Sequence, residues 1–179
     1  AYTTEARMCD EFVWNNKDML IAFAAGNSGE DKDKNAVIDP GSLNAPGTAK
    51  NVLAVGASEN LRAEFLLDYW WYPERPLKHD LYTWPYDGAN QGMAPFSSRG
   101  PCVDGRSKPD IVAPGTGIVA ARSRMPGADT GEGAFDASYC YMSGTSMATP
   151  LAAGCAALVR QYLIERRGIA NPSAALVKA

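Results

Sequence analysis

Polar and apolar residues follow two distinct rhythms along this chain. Over residues 2–16 the spacing is helical: Ala6, Cys9, Phe12 (or Val13) and Asn16 fall on one face. Asn15-Asn16-Lys17-Asp18 then makes a polar stop. Residues 19–25 run apolar without alternation, the pattern of a short strand buried on both faces of a parallel sheet. That run ends at the turn Gly26-Asn27-Ser28-Gly29 and a polar loop over 30–35. A Pro/Gly-rich loop over 40–47 precedes a second apolar run, 51–56, and residues 111–113 form a third, closed by Pro114-Gly115. Residues 118–122 and 138–142 predict a hairpin around a polar loop. The longest helix is predicted over 145–167, with Met147, Leu151, Cys155, Leu158, Tyr162 and Leu163 as its apolar face. Ala152, Ala153, Gly154, Ala156 and Ala157 would let neighbours approach it closely. Pro150 stands near its start, where a missing N–H costs little. Arg166 and Arg167 suit its negative end, and Gly168 suits the position just beyond. A last helix opens after Asn171-Pro172-Ser173, over 174–178. This order predicts an α/β fold: a parallel sheet flanked by helices.

Composition narrows the partners. With 179 residues, 46% of them hydrophobic, the chain can bury roughly 70% of its unfolded surface in one domain. A net charge of −3, with both signs scattered, argues against nucleic acid and anionic membrane. No apolar run approaches the roughly 18 residues of a spanning helix. Cys9, Cys102, Cys140 and Cys155 are far apart and show no metal spacing, so they read as buried thiols. Residues 66–91 stand out: Tyr69, Trp70, Trp71, Tyr72, Tyr82, Trp84 and Tyr86 crowd among Pro, Asp and Lys. They read as an aromatic-rich surface insertion suited to contact.

The candidate chemistry centres on Gly144-Thr145-Ser146-Met147-Ala148-Thr149-Pro150. The small-residue turn lifts Ser146 onto the first turn of the long helix, where unpaired N–H groups and the positive dipole end favour an oxyanion. Such a serine is either a helix cap or an acyl-transfer nucleophile. Asn27, two residues past the first strand, offers either an amide donor to that oxyanion or an ordinary turn residue. A base is harder to find. The single histidine, His79, lies in the aromatic insertion and reads as an exposed loop residue.

Four segments carry a family resemblance. Phe23-Ala24-Ala25-Gly26-Asn27-Ser28-Gly29 resembles the oxyanion-hole segment of subtilisin-like serine proteases. Residues 44–57 resemble their next loop and strand, and Phe96-Ser97-Ser98-Arg99-Gly100-Pro101 with residues 108–115 resembles the approach to the active-site hairpin. The heptad at 144–150 resembles the nucleophile motif. The look is nearest to large alkaline secreted members with a following β-sandwich domain. The resemblance implies a partial three-layer fold with a central buried helix carrying the serine. It implies that Ser146 attacks the scissile carbonyl of a protein or peptide, and that Asn27 with the Ser146 N–H holds the oxyanion. Ala24, Ala25 and Gly26 would line the wall of a substrate pocket. No cofactor is implied for the chemistry. A structural calcium or monovalent cation is implied at Gly47, Ala49, Val52 and Asp110, by carry-over from relatives.

In that family the triad runs Asp, His, Ser, and both earlier motifs precede the oxyanion asparagine. The resemblance therefore maps residues 1–179 onto the C-terminal part of one catalytic domain. It implies that the chain alone is inactive, that a missing N-terminal half or a second copy covers its open edge, and that the protein is secreted. Leu151 stands where relatives often carry His. Two other readings compete: a non-catalytic binding module that keeps the fold, and an esterase. The second fits poorly, because its serine sits in G-x-S-x-G.

Overall fold

The computed structural model describes residues 1–35, 37–60, 92–128 and 131–179. The insertion at 66–91, His79 within it, lies outside the described residues. Among the described residues, three helices and five strands follow in the order α1 (Thr4–Asn15), β1 (Ala22–Ala24), β2 (Leu53–Ser58), β3 (Ile111–Pro114), β4 (Ile118–Ala121), β5 (Tyr139–Met142), α2 (Thr145–Glu165) and α3 (Ala174–Lys178). β1, β2 and β3 pair in parallel with β2 central, and β4 and β5 pair antiparallel. The chain has the expected α/β architecture.

The sheet separates two apolar layers. Leu53, Val55 and Ala57 point one way, onto Ala148 and Ala152 of α2. Ala6 of α1 packs with Ala49 and Val52 in a second cluster, which Ile21 and Phe23 join. β2 is buried at every position because it has neighbours on both edges and both faces. Each fully buried aliphatic side chain there contributes about 1.5–3 kcal/mol.

Several expectations shift. The strand expected over 19–25 contracts to three half-buried residues, since among the described residues β1 pairs on one edge only. β3, expected to be buried, is the other edge, and Ile111 and Val112 are 46% and 44% exposed. In α1 the buried face is Ala6, Asp10 and Val13, whereas Phe12 is exposed. Asp10 is tolerated inside because its carboxylate accepts from Tyr2 O–H and from the N–H groups of Lys50 and Asn51.

The largest difference concerns α2. Its expected apolar face is turned outward: Leu151, Leu158 and Tyr162 are exposed, and the sheet is met by Ala148 and Ala152. Small residues win the buried side because they let the helix axis approach the strands. Pro150 is the sixth residue of the helix, so it forfeits one intrahelical bond that an earlier position would have spared. α2 ends at Glu165, two residues short of the expected 167, with Arg166 as its C-cap and Gly168 at φ +68° beyond it; α3 has its expected bounds. All four cysteines are free thiols; Cys102 and Cys140 are buried, but Cys155 is exposed on α2.

One close approach fixes how β3 leads into the site. The Gly115 carbonyl accepts the Gly144 N–H at 2.7 Å. A Cβ on Gly115 would stand 2.5 Å from Ala57 Cβ and 2.9 Å from the Gly144 oxygen. Gly115→Ala is expected to lower stability by about 1–3 kcal/mol through overpacking, read as a lower urea midpoint at unchanged slope.

Candidate active site

Ser146 is the second residue of α2, and Gly144 is its N-cap. Gly144 takes φ +147°, a conformation that L side chains rarely adopt. No side chain caps this helix, so the Ser146 hydroxyl is not spent as a cap. Its side chain is exposed and has no hydrogen-bond partner among the described residues.

The first-turn N–H groups of α2 are divided unequally. Met147 and Ala148 donate to the Gly144 carbonyl, and Thr145 donates to Asn27 Oδ1 at 2.9 Å. The Ser146 N–H has no acceptor among the described residues. It is left at the positive end of a 21-residue helix with no acidic residue in its first turn.

Asn27 is brought to the same place from the end of β1. Its Oδ1 also accepts the Thr145 hydroxyl, at 2.9 Å. A backbone N–H can only donate, so the atom facing Thr145 N must be the oxygen. That fixes the amide: Nδ2 is turned the other way, 3.3 Å from where a Gly144 Cβ would be. The site thus holds an exposed hydroxyl and two N–H donors without acceptors among the described residues. Such donors can hold an oxyanion beside the attacking oxygen.

Sequence reasoning missed the residue that makes this possible. Thr145 is fully buried. Its Oγ accepts the Gly26 N–H at 3.2 Å while donating to Asn27, so one side chain ties both strands of the site together. The available signal was its place directly before Ser146. Further braces come from residues quoted only as motif. The Ser98 N–H donates to the Gly26 carbonyl, and Ser98 Oγ accepts from Ser28 N–H. Ser97 Oγ accepts from Ala57 N–H. Ahead of the nucleophile turn, the Ser143 hydroxyl donates to Glu132 Oε2 and accepts from Gly117 N–H. Burial pushes the Glu132 carboxyl above its usual range, and the Ser143 bond pulls it partly back.

The remaining candidates fall as follows. Ala24, Ala25 and Gly26 run continuously from β1 into Asn27, with Gly26 held on Thr145. Gly47, Ala49 and Val52 lie on the loop into β2, and Asp110 lies just before β3. The Asp110 carboxylate bonds Ala54 N–H and the Lys108 and Lys178 ammonium groups. Burial raises its pKa, but these partners outweigh that and hold it below the ordinary carboxylate value.

The arrangement sets an exposed hydroxyl and two N–H donors together at the carboxyl end of a parallel sheet. The chain belongs to the subtilase family, whose profile matches residues 2–173. It is 36% identical over 153 residues to the serine protease AprX of Bacillus subtilis (strain 168), covering 84% of this chain and 28% of that protein. It is 30% identical over 218 residues to the serine protease/ABC transporter B family protein tagD of Dictyostelium discoideum, covering 92% of this chain and 11% of that protein. Among solved structures, the S41 psychrophilic protease matches with a TM-score of 0.54 at 26% identity, over 96% of this chain and 41% of that one. The chain spans well under half of each.

Two measurements probe this geometry. Thr145→Val leaves the half-buried Gly26 N–H unpaired and is expected to cost about 1–3 kcal/mol, with Thr145→Ser recovering most of it. Equal urea midpoints for Thr and Val would contradict the bracing role. Asp110, with its depressed pKa, contributes stability that is present above the ordinary carboxylate range and is lost as pH falls through the folded value. Asp110→Asn should therefore flatten the slope of stability against pH below about pH 4, whatever it does to the absolute level.

Proposed function

We propose that this chain is the nucleophile-bearing part of a serine endopeptidase. Ser146 Oγ attacks the scissile carbonyl of a protein or peptide, passing its proton to a histidine base outside these 179 residues. The tetrahedral oxyanion is held by Asn27 Nδ2 and the Ser146 N–H. Collapse expels the amine and leaves an acyl-Ser146 ester, which water then hydrolyses through the same two donors. Ala24, Ala25 and Gly26 form one wall for the side chain before the cleaved bond. The observation that carries this reading is the pair of donors without acceptors beside a hydroxyl that caps nothing. A pure binding module has no need to keep both.

The base and its orienting carboxylate come from a segment outside these 179 residues that carries the family's Asp and His motifs. Two features support a seat for it. β1 has one unpaired edge among the described residues, and α2 turns Leu151, Leu158 and Tyr162 outward. Without that partner a serine hydroxyl is a poor nucleophile at neutral pH, so the chain alone cleaves nothing. The family likeness supports a reading of the protein as secreted. No helix among the described residues is long and apolar enough to cross a membrane.

A fluorophosphonate probe tests the reading. Ser146 should label only when the chain is produced together with the Asp- and His-bearing segment, joined to it or separate, and Ser146→Ala should abolish the label. Rapid labelling of the chain alone, or none in an associated pair, overturns it.

A further inference from the structure

Two of the four positions mapped to a cation site, Val52 and Asp110, are already engaged here. The Val52 carbonyl accepts from Lys178 Nζ at 2.8 Å and from Lys108 Nζ at 3.2 Å. Asp110 takes Lys178 on Oδ1 at 3.0 Å and Lys108 on Oδ2. Lys178 reaches the Lys50 carbonyl at 3.5 Å as well, so each of its three N–H donors has an oxygen. One residue group further, Arg106 donates to the Thr48 carbonyl at 2.8 Å. Lys108 has only 3% of its side chain exposed, and Lys178 has 24%.

This donor set does not fit a metal ion. Calcium needs six to eight oxygen ligands at close range. Of the four positions mapped from relatives, Val52 and Asp110 would have to surrender an ammonium group each time they turned to an ion. The Lys108 ammonium, once displaced, has nowhere near to go, because it is buried and the Arg106 charge stands close to it. An added cation would meet their repulsion without their neutralising partners.

We infer that an internal lysine pair does the work of the cation in this chain: Lys108 and Lys178 fill the oxygen cage of Val52 and Asp110, exclude calcium and monovalent ions from it, and clamp α3 to the sheet. The clamp has a second anchor, since the Ala174 N–H at the start of α3 donates to the Lys17 carbonyl at 2.7 Å. Helix α3 is only five residues long and cannot stand alone; the two anchors hold it across the end of the β2–β3 pair. Burial pushes the Lys108 ammonium below its ordinary value, and Asp110 opposes that push. The inference concerns stability and does not rest on peptidase activity.

Reductive methylation of the intact chain, mapped by mass spectrometry, tests it. Lys108 and Lys178 should react at least about tenfold more slowly than Lys32, whose side chain is 75% exposed. Millimolar calcium or added potassium at matched ionic strength should leave their rates unchanged. Lys178→Met should lower the thermal midpoint by about 5–10 °C, as loss of one partner of a mostly buried ion pair does. The inference is overturned if either lysine reacts as fast as Lys32, if calcium speeds their reaction, or if Lys178→Met melts like the parent chain.

Discussion

The site depends on one buried threonine. Thr145 bonds Asn27 through both its N–H and its hydroxyl, and accepts the Gly26 N–H on the same oxygen. Residues 118 or more apart in sequence are thereby locked at hydrogen-bond distance. The amide orientation of Asn27 follows without choice, because a donor faces it. Everything the site can do with an oxyanion derives from that forced orientation and from the idle Ser146 N–H.

Around this link the molecule uses close approach in place of bulk. Alanines form the buried side of α2. Gly115 and Gly144 share a bond at 2.7 Å that leaves no room for a methyl group. Ser97 and Ser98 satisfy the N–H groups of Ala57 and Ser28, which have no ladder partner at those points. The cost of this economy is a half-covered helix. Its larger apolar side chains face outward, where a further polypeptide would bury them. At the other end of the sheet, carbonyl oxygens that stand free of the ladder are satisfied by cationic side chains, which also secure the last helix.

Much of this was readable from local pattern. Continuous apolar runs located the three parallel strands, and the segments 118–122 and 138–142 around a polar loop located the hairpin. The break at Asn171-Pro172-Ser173 placed α3 at its observed bounds, where the structure shows Ser173 accepting the Leu176 N–H. What failed were statements about which face is covered. Leu151, Leu158 and Tyr162 have helical spacing, which marks a stripe but not its partner. Ile111 and Val112 look like core because periodicity reports composition, not neighbours, and β3 is an edge.

The sequence by itself determined the elements and the family, and marked Asn27 and Ser146 as the candidate site residues, because dense small-residue motifs tolerate few alternatives. Only the tertiary structure decided how those residues are oriented and what braces them. It also decided that Lys108 and Lys178 stand on the oxygens of Val52 and Asp110. The physical reason is distance: a hydrogen bond is set to tenths of an ångström by residues remote in the chain, and no local spacing encodes that.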